Sequence, residues 1–239
     1  MKKKYKTVIL SDIHLGKPVS KIGRLINFLD GIEFERLIIN GDYIDFWQLG
    51  ILWRRTERDT RFMNYIINFA ENWVKLVYIK WNHDSFIRHL EHIHLYDVSI
   101  INDMTYTSWN GKKYHICHWD RFDYVCYYLP NLAKFMNLFY TVIYLVERLF
   151  HKDKDSFYPL SERIKKFFKK NLFPQKILYK KISKRAKERN FEWIIFWHYH
   201  LPDRRLVNGI DCINSWDWIT SCTAVVEDME WNIELIYAI

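Results

Sequence analysis

Residues 7–16 read TVILSDIHLG, and residues 37–45 read LIINGDYID. Each starts as a short apolar or β-branched run, which suits a buried strand, and each breaks abruptly into Asp, His or Gly. Between them, residues 22–29 carry apolar side chains at helical spacing. The pattern then repeats. Residues 60–72 read as a helix whose apolar face is expected to hold Phe62, Ile66, Ile67 and Phe69, and residues 74–79 read as a third strand running out into Asn82, His83 and Asp84. Strands alternating with helices predict a layered α/β fold. Three successive strands deliver polar residues at their C-terminal ends, where open α/β sheets place their sites.

Beyond residue 98 the pattern is more β-like. Residues 104–108 and 113–118 flank Asn110-Gly111 and predict a hairpin. Further strands are expected at 194–196, around Asn208-Gly209, at 223–227 and at 233–237. Residues 124–190 differ: an aromatic and aliphatic stretch (FMNLFYTVIYLVERLF) gives way to basic ones (ERIKKFFKK, KILYKKISKRAKER). We read this span as a helical cap subdomain inserted into a single domain covering 1–239. Two accounts of it stay open: a cap with its apolar side on the core and its lysines in solvent, or an amphipathic platform for a membrane surface or a lipid-bearing anionic substrate.

Composition bounds the function class. With 239 residues, 49% of them hydrophobic, the chain has enough apolar material for one sizeable core. A net charge of +8 favours an anionic partner, whether phosphorylated metabolite, nucleic acid or anionic membrane. Cys117, Cys126, Cys212 and Cys222 have no CxxC spacing and read as reduced thiols. The apolar run after MKKKYK is too short for a signal peptide, and no stretch approaches a membrane span, so a cytoplasmic protein is expected, with peripheral contact to the inner membrane face as an option.

Five blocks occur in order: SDIHLG (11–16), NGDYID (40–45), WNHD (81–84), CHWD (117–120) and WHYH (197–200). Carboxylate, imidazole and amide oxygen together suit Mn, Fe or Zn, and a carboxylate shared by two ions makes a two-metal hydrolytic centre. Any one block alone is weak, because strand-end Asp and His are common as capping or hydrogen-bonded residues. Five in one order, each after a strand, make a joint signal.

These blocks resemble the calcineurin-like metallophosphoesterase signature DxH…GDxxD…GNH[DE]…H…GHxH. The C-terminal NSWDWITSCTAVVE, with Trp47 and Trp53, is similar to the UDP-2,3-diacylglucosamine pyrophosphatase-like branch of that class. The resemblance implies a four-layer α/β/β/α sandwich with metals at the strand ends. It implies one metal on Asp12, His14, Asp42 and His200, and a second on Asp42, Asn82, His118 and His198. His83 would face the scissile phosphate and Asp84 would orient it. The cofactors implied are two divalent ions, with Mn2+ expected and Fe2+, Zn2+ or Mg2+ as alternatives. The reaction implied is phosphoester or pyrophosphate hydrolysis, most specifically of UDP-2,3-diacylglucosamine to lipid X and UMP. Arg54, Arg55 and Arg58 either meet the phosphate or uridine or form a solvated helix face. A nuclease or nucleotide phosphodiesterase would use the same metal site, although nucleic acid is the less expected partner.

The departures from that signature share one form. Trp81, Trp119, Trp197 and Trp216 stand at signature glycines, and Trp73, Trp193 and Trp231 stand where local structure calls for glycine. The chain has 11 Trp and 7 Gly, the reverse of ordinary usage. One explanation is that UGA codons, which some bacterial lineages reassign to glycine, are written here as tryptophan; Trp109 is compatible with either residue. The other is that the indoles are real and the chain is a catalytically dead binding module with a blocked site.

Overall fold

The structure is a computed structural model describing residues 2–16, 20–43, 57–79, 94–95, 98–101, 103–108, 110–118, 175–197, 203–215, 218–219 and 221–238, with the short pieces 138–139, 142–143, 146–147, 149–150 and 163–164. Twelve strands among these residues form two sheets. The first runs β12-β11-β1-β2-β3-β5-β4. Its central strands β1 (Lys3–Leu10), β2 (Ile32–Asn40), β3 (Lys75–Ile79) and β5 (Val98–Ile101) are parallel. Antiparallel β11 (Thr223–Asp228) and β12 (Ile233–Tyr237) flank one side, and the two-residue β4 (His94–Leu95) the other. The second sheet runs β6-β7-β8-β10-β9. In it β7 (Lys113–His118), β8 (Trp193–Trp197) and β10 (Ile210–Asn214) are parallel, with β6 (Asp103–Thr107) and β9 (Asp203–Val207) antiparallel at the edges.

Side-chain alternation along the strands builds three apolar interfaces. Val8 and Leu10 of β1, Leu37 and Ile39 of β2, and Leu76 and Tyr78 of β3 face helices α1 (Ile22–Asp30) and α2 (Glu57–Glu71). Their neighbours Ile9, Ile38, Val77 and Ile79 point the other way, onto Tyr114, Ile116, Ile195 and Ile213 of the second sheet. The outer face of that sheet, through Cys117, Ile194, Phe196 and Cys212, meets Leu178, Tyr179, Ile182 and Ala186 of helix α3 (Gln175–Glu188). The layer order is therefore α/β/β/α, as the resemblance implies. Three parallel strands with apolar residues on both faces explain why the sequence runs there are continuous rather than alternating.

Details differ from the sequence reading in informative ways. The α2 face turned inward is Phe62 and Ile66 with Phe69 half-buried, whereas Ile67 is 50% exposed, because it lies one residue's rotation (100°) from Ile66. Helix α3 lies inside the span read as an inserted cap, yet packs on the second sheet as its outer layer. The rest of 124–190 is mostly outside the described residues. Trp193 is the first residue of β8, paired with Asp211 and Tyr114; its ring lies 5.6 Å from that of Tyr114 and carries Lys112 Nζ 5.2 Å away. Its φ is not positive, so the expectation of a glycine there from local structure is corrected.

Trp73 and Trp231 behave otherwise. After α2, Val74 N–H donates to the Phe69 carbonyl at 3.0 Å and Trp73 N–H to the Ala70 carbonyl at 3.3 Å. These are the paired bonds of a Schellman cap, with Trp73 at its left-handed position, φ 66°. The same two bonds end α3, where the left-handed residue is Asn190. In the β11–β12 turn, Trp231 N–H donates to the Asp228 carbonyl and φ is 68°. A left-handed conformation costs a non-glycine residue about 1–2 kcal/mol.

One buried polar group ties the layers. Glu227 is fully buried and accepts hydrogen bonds from the Tyr106 hydroxyl and from Ser108 Oγ, and Tyr106 Oη also meets Thr7 Oγ1 at 2.8 Å. Burial and the Glu227 carboxylate push the Tyr106 phenol up, so it stays a donor. Tyr106→Phe leaves that carboxylate short of a partner and is expected to cost about 1–3 kcal/mol in urea unfolding. Tyr237→Phe on the exposed β12 edge is expected to cost nothing measurable.

His115 predicts the acid limb of stability. It lies buried under α3, stacked 4.7 Å from Phe191, and burial holds its pKa below the ordinary 6.5, with Arg189 and Arg185 lowering and Asp103 raising it. A depressed histidine binds fewer protons folded than unfolded, so the stability that His115 contributes is present above pH 6.5 and is lost as pH drops toward the folded value. His115→Phe is expected to flatten that decline in unfolding midpoints measured across pH.

Candidate metal centre

Parallel pairing brings the site together. Leu10 of β1 is opposite Ile39 of β2, so the chain leaves both strands at the same rim, through Ser11-Asp12 on one and Asn40-Gly41-Asp42 on the other. Beyond the strands the two loops keep bonding: His14 N–H donates to the Asp42 carbonyl at 2.8 Å and Leu15 N–H to the Tyr43 carbonyl at 2.7 Å. Asp12, His14 and Asp42 each offer a ligand atom, all within 4.8 Å of one another. His14 Nε2 lies 2.7 Å from Asp12 Oδ1 and 3.3 Å from Asp42 Oδ2.

All three side chains are buried. Two carboxylates in a low-dielectric site are costly without positive charge close by. A hydrogen bond from one imidazole shared between them offsets part of that cost, and a divalent cation on the same oxygens would offset more. The donor set of two carboxylates and an imidazole thus fits a divalent metal. The backbone supports this reading independently. Asp12, His14 and Asp42 have φ of 51°, 47° and 44°, so each loop holds non-glycine residues in the left-handed region. Strain of this kind persists where surrounding structure over-determines it, as at ligand clamps.

Residues that sequence reasoning passed over hold the rim. Ser11 Oγ meets Ser215 Oγ at 3.0 Å, and Ser215 N–H donates to the Phe196 carbonyl. The end of β1 is thereby joined to the ends of β10 and β8, so both sheets deliver their C-terminal ends to one rim. Trp218 N–H donates to the Asp12 carbonyl at 3.1 Å, and its fully buried ring packs 5.5 Å from Phe28. Asn40, fully buried directly before Gly41-Asp42, has no hydrogen bond to its side-chain amide among the described residues. The signal for Ser11 and Asn40 was their place at strand ends; nothing in the sequence paired Ser11 with Ser215.

Other expected site residues fall as follows. His118 ends β7 opposite Trp197 of β8, so His198 and His200 follow from the neighbouring strand. His198 and His200 themselves, with Asn82, His83, Asp84, Arg54 and Arg55, lie outside the described residues, as do Trp81, Trp119 and Trp216. Arg58 is exposed in the first turn of α2. Cys117, Cys212 and Cys222 are buried thiols, and burial pushes the Cys212 thiol up to about 12.

No protein-family model matches the chain, and no curated protein does. Solved structures do match. A hypothetical protein of Pyrococcus horikoshii is 12% identical over 98% of this chain and 87% of its own, with a TM-score of 0.51. A novel archaeal phosphodiesterase is 14% identical over 97% of this chain and 98% of its own, with a TM-score of 0.47. A conserved protein of Streptococcus pneumoniae described as a predicted phosphoesterase is 12% identical over 98% and 90%, with a TM-score of 0.40. The likeness to the Pyrococcus horikoshii structure is one of fold.

The site makes a direct prediction for metal binding. Mn2+ at 100 times its dissociation constant should stabilise the folded chain by about 2.7 kcal/mol, read as a rise in Tm. Asp42→Asn, which keeps the shape and removes the charge, is expected to abolish that rise while folding normally without metal.

Proposed function

We propose that the chain is a two-metal hydrolase of phosphoester or pyrophosphate bonds. The observation that carries this is the buried Asp12–His14–Asp42 group held in left-handed loops at adjacent parallel strand ends. The ligand sets are Asp12, His14, Asp42 and His200 for one metal, and Asp42, Asn82, His118 and His198 for the other. When bound, the metals, Mn2+ in this reading, supply Lewis acidity toward phosphoryl oxygens and a water of lowered pKa. Asp42 would serve both sets. His83 donates a proton or hydrogen bond toward the phosphate, and Asp84 holds its imidazole in the needed tautomer.

The substrate proposed is UDP-2,3-diacylglucosamine, cleaved to lipid X and UMP. Support for a lipid-bearing anion comes from the net charge of +8 and from the exposed side chains of Leu138, Phe139, Val142, Val146, Leu149 and Phe150, the last two more than four-fifths exposed. The same features suit peripheral contact with an anionic membrane on the cytoplasmic side. Among the described residues, no helix is long and apolar enough to cross a membrane. Arg54, Arg55 and Arg58 are proposed as phosphate or uridine contacts. The positive charge equally favours a second reading, a nucleotide phosphodiesterase or nuclease on the same centre.

The test is Mn2+-dependent release of UMP from UDP-2,3-diacylglucosamine, beside hydrolysis of bis(p-nitrophenyl) phosphate and single-stranded DNA. Protein purified from its source is expected to cleave the UDP-lipid. Asp42→Asn should lower kcat/KM by at least about 100-fold, the equivalent of ~2.7 kcal/mol of transition-state stabilisation. His83→Ala should cost about 10²–10⁴-fold in kcat. Cleavage of DNA alone would replace the lipid substrate with the second reading. Absence of any metal-dependent cleavage would sink both, leaving a binding module.

A further inference from the structure

We infer that the protein made by its source carries glycine, not tryptophan, at positions 73 and 231, through a codon that the source decodes as glycine. The inference is independent of the hydrolase reading, because it stands on two surface turns away from the metal centre. Trp73 sits at the left-handed position of a complete Schellman cap, with φ 66° and 87% exposure. Trp231 sits in the β11–β12 turn with φ 68° and 43% exposure. Each is a bulky residue in a conformation that favours glycine.

The other left-handed residues give the contrast. Asn190, in the equivalent cap of α3, and Asn208, before Gly209 in the β9–β10 turn, are the residue type that tolerates this conformation best after glycine. Gly16, Gly41, Gly111 and Gly209 occupy it without cost. Tryptophans with a structural reason look different. Trp218 is fully buried against Phe28, and Trp193 lies in β8 against Tyr114, with no positive φ.

A single codon-level cause accounts for both turns, and it explains the composition, in which Trp outnumbers Gly 11 to 7. Independent replacements would have to choose the largest side chain each time. The same codon at 81, 119, 197 and 216 would restore small residues beside the strand-end ligands.

Peptide mass spectrometry of the protein isolated from source cells, with the gene's codons read alongside, decides the matter. Glycine masses at 73 and 231, both encoded by UGA, with tryptophan and UGG at 218, are expected. A tryptophan mass at either 73 or 231 overturns the inference. A second measurement reads the structural premise on the recombinant chain. Trp73→Gly and Trp231→Gly should each raise Tm, whereas Trp218→Gly should lower it sharply. A lowered Tm for the first two would show that the indoles belong in those turns.

Discussion

The parallel register between β1 and β2 is the constraint on which the candidate centre depends. With Leu10 opposite Ile39, Asp12 and Asp42 leave adjacent strands at nearly the same height, which brings both carboxylates to one imidazole. A one-residue slip of β2 would turn Ile38 out of the inter-sheet core and carry Asp42 away from Asp12. Because Val8, Leu10, Leu37 and Ile39 fill the opposite interface, the register is held from both faces. The apolar packing of two interfaces therefore fixes the geometry of the polar site.

The second sheet extends this logic. Its link to the first at the rim runs through Ser11 and Ser215, small side chains that let two strand ends approach closely. From the middle of β1, Thr7 joins Tyr106, Ser108 and Glu227 in a second polar joint. Between them lies the apolar inter-sheet layer. Two satisfied polar anchors and one apolar layer set the relative position of the sheets, which is what the His118 strand end needs to arrive at the same rim as Asp12.

Much of this was legible in the sequence, for identifiable reasons. Strands buried on both faces read as apolar runs and stop where Asp, Asn or His begins, so β1, β2 and β3 and their terminal residues could be located. The beginning of β2 was missed because 32–36 alternates exposed and half-buried residues and looks unlike the buried half. β4 and β5 escaped because two and four residues carry too little pattern. The identity of Asp12, His14 and Asp42 as candidates followed from residue type at strand ends. Their mutual distances, the Ser11–Ser215 contact and the role of α3 as an outer layer depend on tertiary adjacency, which no local pattern encodes.

Left-handed backbone separates two kinds of site in this molecule. At Asp12, His14 and Asp42 it occurs in buried polar residues whose loops bond to each other, so the neighbouring structure holds the strain and the side chains have chemistry to do. At Trp73 and Trp231 it occurs at the surface, in turns whose hydrogen bonds are made by backbone groups and by the Asn72, Asn110 and Asp228 side chains, and would be made equally well without an indole. Cys222 shares the conformation, and nothing in the structure explains it beyond its buried place at the start of β11. Conformation alone therefore does not mark function; what distinguishes the centre is strain together with burial and convergent donor atoms. The two turns have the strain without either, and that combination points away from selection for the side chain and toward the way the residue was assigned.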